Sequence, residues 1–155
     1  MELSDILSEA SVVVLSGKFT KEQVLHSLAD RAAHVVGADA EEIFAAVNER
    51  ERLGSTGLGN GIAIPHGRFP GLPGVTAVFA RLMEPVDFES VDDQPVDLVM
   101  LLLAPIGAGA DHLKALARVA RALRTDQVVD DLRRTSDPAR LHEVLTLPLA
   151  ANRAA

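Results

Sequence analysis

A continuous apolar run late in the chain constrains the fold more than any other feature of the sequence. Asp97 to Ala104 reads DLVMLLLA, without alternation between polar and apolar residues. Runs of this kind are typical of strands that are buried on both faces, because helices cover both sides of their sheet. The run therefore predicts a buried strand in a sheet that is covered by helices.

Helix signals lie before and after the predicted strands. Capping-box patterns at Thr20–Gln23 and Asp39–Glu42 open two helices, and a glycine closes each of them. Strands are expected at Ser11–Leu15, Ile62–Ile64 and Val75–Met83, and later helices are expected to begin at Asp111, Thr125 and Asp137. The helix that begins at Asp111 is expected to bury Leu113, Leu116, Ala120 and Leu123. This order predicts one α/β domain over residues 1–147, followed by a flexible C-terminal tail at residues 148–155.

The composition excludes several classes of function. The 155 residues include 22 acidic and 15 basic residues, a net charge of −7, with no basic cluster interleaved with aromatic residues. Nucleic acid is therefore not an expected partner, because contacts to phosphates supply most of such affinity. The absence of cysteine excludes disulfides, thiolate zinc sites and cysteine nucleophiles. Without a signal-peptide pattern or an apolar run that could cross a bilayer, we expect a cytoplasmic protein with no membrane insertion.

Residues 54–67 form the segment that most indicates a function. Five of the eleven glycines fall within it, and it ends in Ile64-Pro65-His66-Gly67. Glycine lets the backbone approach a ligand closely, and proline fixes the backbone just before the imidazole. We expect the strand at Ile62–Ile64 to anchor the segment, with His66 emerging at the end of that strand.

The glycine spacing in this segment does not match a nucleotide-binding loop. Gly57, Gly59 and Gly61 lack the spacing of a dinucleotide-binding turn, and no lysine follows them as in a P-loop. The backbone amides of such a segment can still bind a phosphoryl group that is carried on a side chain.

The other four histidines differ in their context. His26, His34 and His142 lie within predicted helices, and we interpret them as ordinary surface or half-buried residues. His112 follows the apolar strand in the first turn of a helix. Functional sites gather at such strand ends in α/β folds, so both packing and function stay open for His112.

Two histidines in one site could bind a metal or carry a covalent group. The chain has no His-x-x-x-His or His-Glu-x-x-His pattern, so no metal or other cofactor is expected and a metal-dependent hydrolase using His66 and His112 is kept only as an alternative. A neutral imidazole can instead attack phosphorus and hold the phosphoryl group on nitrogen. Backbone amides, a second imidazole and an arginine would suffice for positioning and charge compensation. Arg50 is the candidate cation, with solvation on a helix face as its alternative interpretation.

Five segments of the sequence, including the one around His66, together resemble a known family. They are Arg50-Glu51, Gly54–Gly67, Val86–Phe88, Asp93–Leu98 and His112-Leu113. At these positions, in an order that runs from about residue 3 to residue 147, the chain resembles enzyme IIA of the fructose/mannitol class of the bacterial phosphotransferase system. More narrowly, it resembles the nitrogen-regulatory branch. The resemblance implies a single α/β domain with a mixed β-sheet sandwiched between helices.

The resemblance also implies roles for individual residues. His66 would accept the phosphoryl group through Nε2, His112 would hydrogen-bond the phosphoryl oxygens, and Arg50 would balance their charge. The pocket would be lined by Ser55, Thr56, Gly57, Gly59, Gly61 and Gly67. An apolar patch would dock the partner through Leu58, Phe69 and Leu72, and also Ile62, for which core packing is an equal explanation. Ala117 stands where the family commonly has a polar residue, which leaves secondary contacts of His112 open.

What the resemblance implies is a phosphocarrier, an enzyme only in the sense of a phosphotransferase component. The donor would be the histidine phosphocarrier protein, and the regulated partners would include potassium transport or metabolic regulators. Because the chain has no fused transport domain, we expect regulation rather than sugar uptake. A stand-alone enzyme IIA that serves a separate fructose/mannitol-type permease is the alternative within the family. A pure interaction module with a structural His66 is an alternative outside it.

Overall fold

The computed structural model describes residues 1–147, and the tail predicted at residues 148–155 lies outside the described part of the chain. The helices are α1 (Leu3–Ile6), α2 (Lys21–Val36), α3 (Ala40–Arg52), α4 (Gly109–Leu123), α5 (Asp126–Arg133) and α6 (Pro138–Thr146). The strands are β1 (Val12–Leu15), β2 (Gly57–Gly59), β3 (Ile62–Ala63), β4 (His66–Arg68), β5 (Thr76–Val86) and β6 (Val96–Ala104). The strands form one mixed sheet between two layers of helices, which confirms the predicted fold class.

Strand β6 organises the sheet. The strand order is β1-β5-β6-β3-β2, and β4 pairs with β6 beyond the end of β3. β6 runs parallel to β3 and β4 and antiparallel to β5. Its side chains alternate between two cores, Leu98, Met100 and Leu102 on one face and Val99, Leu101 and Leu103 on the other. Every β6 residue except Asp97 is buried, which confirms the strand predicted from the apolar run.

Capping side chains explain where several helices begin. Thr20 accepts from the backbone amide of Gln23 at 3.1 Å, and Gln23 accepts in return from the amide of Thr20 at 2.9 Å, so the predicted capping box opens α2. Asp39 caps α3 through two amides without a reciprocal bond. Asp137 accepts from the amide of Ala139 and opens α6 as predicted. Among residues 1–147, no helix has the length and apolar character that crossing a membrane requires.

Helix α4 differs from its prediction in both its start and its buried face. It begins at Gly109 after the cap residue Ala108, so Asp111 lies in its first turn and does not cap it. The buried residues are His112, Ala115, Val119 and Leu123. Of the four residues predicted for the buried face, Leu123 is buried and Leu116 and Ala120 are half-buried against the core, but the buried residue near the helix start is His112 and not Leu113. As a result, Leu113 is 69% exposed.

The glycine-rich segment also differs from its prediction. Gly57–Gly59 forms strand β2, which pairs antiparallel with β3, so part of the expected loop is a hairpin. β3 ends at Ala63, and His66 begins the separate strand β4 instead of ending the earlier one. Pro65 explains the interruption, because it has no amide to donate, although its carbonyl still accepts from the amide of Leu102. At β1, Ser11 belongs to a short 3-10 helix (Glu9–Ser11), so that strand begins one residue later than predicted.

Candidate functional site

The imidazole of His66 is held by a single backbone contact. Strand β4 pairs with β6 in parallel register, His66 opposite Leu102. Nδ1 of His66 lies 2.9 Å from the carbonyl oxygen of Ile64. A carbonyl only accepts, so Nδ1 carries the hydrogen and the neutral ring keeps its lone pair on Nε2. In the neutral form of the ring, the lone pair of Nε2 is therefore not used by this backbone contact.

His112 lies beside His66 in a more buried environment. The two ring centroids are 5.7 Å apart and the planes are inclined by 70°, an edge-to-face arrangement. His112 is buried, and within the described residues its Nε2 has no hydrogen-bond partner. Burial lowers the pKa of His112, and repulsion from the imidazole of His66 in its protonated form and from the guanidinium of Arg68 lowers it further. At neutral pH, His112 is consequently an uncharged imidazole with one unmatched nitrogen.

Two adjoining depressions meet at His66. One, of about 520 Å³, also contains Arg50, Arg68 and His112, and we call it the histidine cleft. The other, of about 420 Å³, lies against the segment of residues 55–58 and also contains Arg50. A group bound to Nε2 would therefore lie in a site that also contains the imidazole of His112 and the guanidinium groups of Arg50 and Arg68.

Ser55 and Thr56 lie beside His66, but their hydroxyls are engaged elsewhere. The Ser55 hydroxyl donates to the carbonyl of Phe88 at 2.7 Å and accepts from the amide of Gly57 at 3.0 Å. The Thr56 hydroxyl donates to the carboxylate of Glu51. These side chains therefore fix the position of the segment, and their hydroxyls are not free to bind a ligand.

A buried ion pair supports this segment from the protein interior. The side chain of Glu51 is only 2% exposed and lies 2.9 Å from the ammonium of Lys21. The same ammonium donates to the carbonyl of Phe88 at 3.2 Å. Glu51 therefore joins the start of α2 to Thr56, a function that its place in the matching motif alone did not indicate.

Gly57 is required by a close approach and not by its backbone angles. A Cβ at this position would overlap Oγ of Ser90 and lie 2.8 Å from Cβ of Ser90. Ser90 is buried, and its Oγ has no hydrogen-bond partner among the described residues. A Cβ at Gly67, in β4, would lie 3.4 Å from the backbone of α3 at Ala46, which is an ordinary contact distance.

The structure does not bring two of the proposed pocket glycines to the site. Gly59 lines a separate depression of about 410 Å³, which Arg133 also lines. Gly61 has φ +81° and lies against Arg133 and Asp97, where a Cβ would be 2.9 Å from the Asp97 carboxylate. The prediction that Gly59 and Gly61 line the phosphoryl pocket is therefore wrong. These glycines shape the tip of the β2–β3 hairpin, where Arg133 forms a 2.8 Å ion pair with Asp97.

Two of the proposed docking residues point into the core. Phe69 and Leu72 are only 7% and 8% exposed, because the chain after β4 turns inward against the core under α2 and α3. Ile62 is likewise buried, as its packing alternative predicted. Leu58 is half-buried and lines the second depression. The expectation that Phe69 and Leu72 dock a partner is therefore corrected.

The exposed apolar and basic groups around the histidine cleft were not predicted from the sequence. Leu53, 83% exposed, and Leu113 both line it, and so does Arg68. The alternation of side chains along a strand could have identified Arg68, which lies two residues after His66. Leu113 could not be identified in this way, because it was assigned to the buried face of α4. In residues 1–147, no group of three or more acidic or histidine side chains is arranged to hold a metal ion.

Comparison with known proteins finds relatives over nearly the whole chain. Residues 5–147 match the family model described as phosphoenolpyruvate-dependent sugar phosphotransferase system, EIIA 2. A nitrogen regulatory protein of Bradyrhizobium diazoefficiens is 47% identical over 150 residues, which cover 97% of this chain and 98% of the relative. The crystal structure of nitrogen regulatory protein IIA-Ntr from Neisseria meningitidis superposes with a TM-score of 0.85 at 32% identity, covering 93% of this chain and 99% of that one. Mannitol IIA from Escherichia coli shares the fold. Its structure has a TM-score of 0.75 at 23% identity, covering 90% of this chain and 98% of that one.

Proposed function

Because the chain belongs to the EIIA 2 family of the phosphoenolpyruvate-dependent sugar phosphotransferase system, in its nitrogen-regulatory branch, we propose that it is a phosphocarrier that accepts a phosphoryl group on His66. The observation that carries the proposal is the bond from Nδ1 of His66 to the carbonyl of Ile64. It leaves Nε2 as the free nucleophile at the edge of a cleft that contains His112 and two arginines.

The proposed transfer requires no proton movement at His66. The lone pair of Nε2 forms the new N–P bond while the N–P bond to a histidine of the histidine phosphocarrier protein breaks. The electron pair of the broken bond returns to the donor's nitrogen. The ring of His66 gains positive charge as the bond forms, and the carbonyl of Ile64 stabilises that charge through the Nδ1 hydrogen.

His112 and Arg50 would supply a hydrogen bond and a positive charge to the transferred phosphoryl group. The phosphoryl oxygens carry negative charge, and catalysis of such a transfer consists mainly of positioning and charge stabilisation. Nε2 of His112, which has no partner within residues 1–147, would donate to one of these oxygens. The lowered pKa of His112 keeps it a neutral hydrogen-bond donor, so the positive charge comes from Arg50.

Leu53 and Leu113 are the side chains that we propose for docking the donor. Both are large, apolar and exposed, and they line the histidine cleft from the end of α3 and the start of α4. Apolar anchors of this kind dominate the energetics of many protein interfaces. The same surface would meet the regulated partners, such as potassium transport or metabolic regulators, in the cytoplasm. Phosphorylation would add about two negative charges there, so the phosphorylated and free forms would select different partners.

The test supplies phosphoenolpyruvate, enzyme I and the histidine phosphocarrier protein, and measures acid-labile phosphate on the chain. We expect one phosphoryl group on the wild type and none on His66→Gln. His34→Gln, an exposed histidine on α2, is the matched control and should label like the wild type. An unlabelled wild type, or equal labelling of His66→Gln, would contradict the proposal. Stoichiometric zinc that is lost in His112→Ala would instead support the metal-dependent hydrolase.

A further inference from the structure

Arg68 is the cation in the histidine cleft that the resemblance to the family left without a role. We propose that Arg68 contacts the phosphoryl group during transfer to His66 and is a catalytic residue of that reaction. This inference rests on the proposed phosphocarrier function, and it adds a second cation to the site.

Strand geometry brings Arg68 and His66 to the same side of the sheet. Both belong to β4, two residues apart, and successive side chains of a strand point to opposite faces. Gly67, between them, faces the backbone of α3 at Ala46. His66 and Arg68 both line the cleft that His112 also lines. The backbone of Arg68 therefore belongs to the same strand as the nucleophile, and its exposed side chain lines the same cleft.

The two arginines of the cleft differ in how far their donors are occupied. Arg50 donates from Nη1 to the carbonyl of Gly54 at 2.9 Å, so part of its guanidinium holds the chain after α3. The guanidinium of Arg68 forms no hydrogen bond or ion pair with any residue in the described part of the chain. Glu49 is the one acidic side chain among those that line the cleft, and it is exposed. Arg68 consequently has free donors for an incoming anion.

The charge of Arg68 already acts on the histidine pair. Together with burial and His66, it holds the pKa of His112 below its usual value. A cation that influences His112 in this way also acts on the oxygens that His112 would bind. Guanidinium groups suit this task, because their fixed donors match two phosphoryl oxygens at once.

The role of Arg68 in the transfer is electrostatic and involves no proton. As the N–P bond to Nε2 of His66 forms and the donor's N–P bond breaks, the non-bridging oxygens remain negative throughout. Arg68 would donate two N–H groups to these oxygens while Nδ1 of His66 stays bonded to Ile64. Loss of such a preorganised donor typically lowers the rate of the chemical step by about a hundredfold.

The experiment measures transfer from the phosphorylated donor to Arg68→Gln, Arg68→Lys and the control Arg52→Gln, an exposed arginine at the end of α3 that does not line the cleft. We expect Arg68→Gln to lower kcat by about tenfold to a hundredfold with little change in KM. Arg68→Lys should recover part of this loss, since an ammonium keeps the charge but not the paired donors. In NMR titrations the pKa of His112 should rise in Arg68→Gln and not in Arg52→Gln.

The possible outcomes separate this inference from the proposed function. If the wild type accepts no phosphoryl group, the phosphocarrier function itself fails. If the wild type is labelled and Arg68→Gln keeps its kcat, the role of Arg68 is refuted while the phosphocarrier function stands. An increase in KM alone would also refute it, because Arg68 would then act in docking. Equal unfolding midpoints of wild type and Arg68→Gln, measured in urea, exclude a folding defect as the cause of a lower kcat.

Discussion

The protein interior that supports residues 54–57, which we call the inner side, and the histidine cleft, which we call the outer side, differ in how far their polar groups are hydrogen-bonded. On the inner side, the hydroxyls of Ser55 and Thr56 and the carboxylate of Glu51 all have partners within the protein. On the outer side, Nε2 of His112 and the guanidinium of Arg68 have none among residues 1–147. The difference separates two tasks. The hydrogen-bonded groups of the inner side stabilise the position of the segment. The donors of His112 and Arg68 remain available to form hydrogen bonds with a ligand.

The largest effect is expected on the inner side, from Lys21→Met. The substitution leaves the carboxylate of Glu51 buried without its counter-ion, which typically costs about 3–5 kcal/mol of unfolding free energy. Urea denaturation measures the loss, with Lys18→Met, an exposed lysine without an ion pair in the described residues, as control. If Lys21→Met were as stable as Lys18→Met, the ion pair on the inner side would not stabilise the fold, and the comparison between the two sides would fail. The double variant Lys21→Met with Glu51→Leu should recover part of the loss.

A smaller effect is expected from Ser55→Ala, also on the inner side. The substitution removes a donor to the carbonyl of Phe88 and an acceptor for the amide of Gly57. The expected loss of unfolding free energy is about 1–2 kcal/mol, since two hydrogen bonds disappear and the groups are partly buried. Thermal or urea unfolding gives the value. A stability equal to that of the wild type would mean that the segment is fixed by Glu51 and Thr56 alone.

The smallest change in stability is expected on the outer side, from His112→Leu. This substitution replaces a buried, unmatched nitrogen by an apolar side chain, so at pH 7.5 the unfolding free energy should change by less than about 1 kcal/mol. Phosphoryl transfer should nevertheless fall, because a donor to the phosphoryl oxygens is lost. A loss of several kcal/mol would identify His112 as a structural residue.

The same variant should alter the pH dependence of stability. The pKa of His112 is lower in the folded chain than the usual value of about 6.5, so the unfolded chain binds this proton more readily. Stability is therefore lost as the pH falls from about 6.5 towards the lower folded-state value. Between pH 7.5 and pH 5.5, the wild type should lose more unfolding free energy than His112→Leu does. Identical losses would show that His112 does not contribute.

Local sequence signals predicted most of the fold. The apolar run of β6 and the capping box at Thr20 depend on residues close together in the chain, so they could be identified without knowing the rest. The face of α4 could not, because apolar spacing alone gave no reason to bury His112 in place of Leu113. The docking role predicted for Phe69 and Leu72 was wrong for a related reason. An apolar residue near a site can belong to the surface or to the core, and only the packing of α2 and α3 decides between them.

At the site, the sequence was most informative where the chemistry is local. The Pro65-His66-Gly67 frame indicated the histidine, and the resemblance brought in His112 and Arg50 from distant positions. Gly59 and Gly61 were assigned to the pocket because glycines near a histidine suggest a phosphoryl-binding loop. Gly61 instead accommodates Arg133 and Asp97, which are remote in sequence. Their proximity depends on tertiary structure that no local pattern contains.

The contact between Gly57 and Ser90 has a consequence for how this sequence can evolve. A methyl group at position 57 would overlap the side chain at position 90. Alanine at position 57 therefore requires glycine at position 90. The bond from Ser55 to the carbonyl of Phe88 would survive such an exchange, because neither residue is replaced. Positions 57 and 90 are thus expected to vary as a pair across related lineages, although 33 residues separate them in the chain.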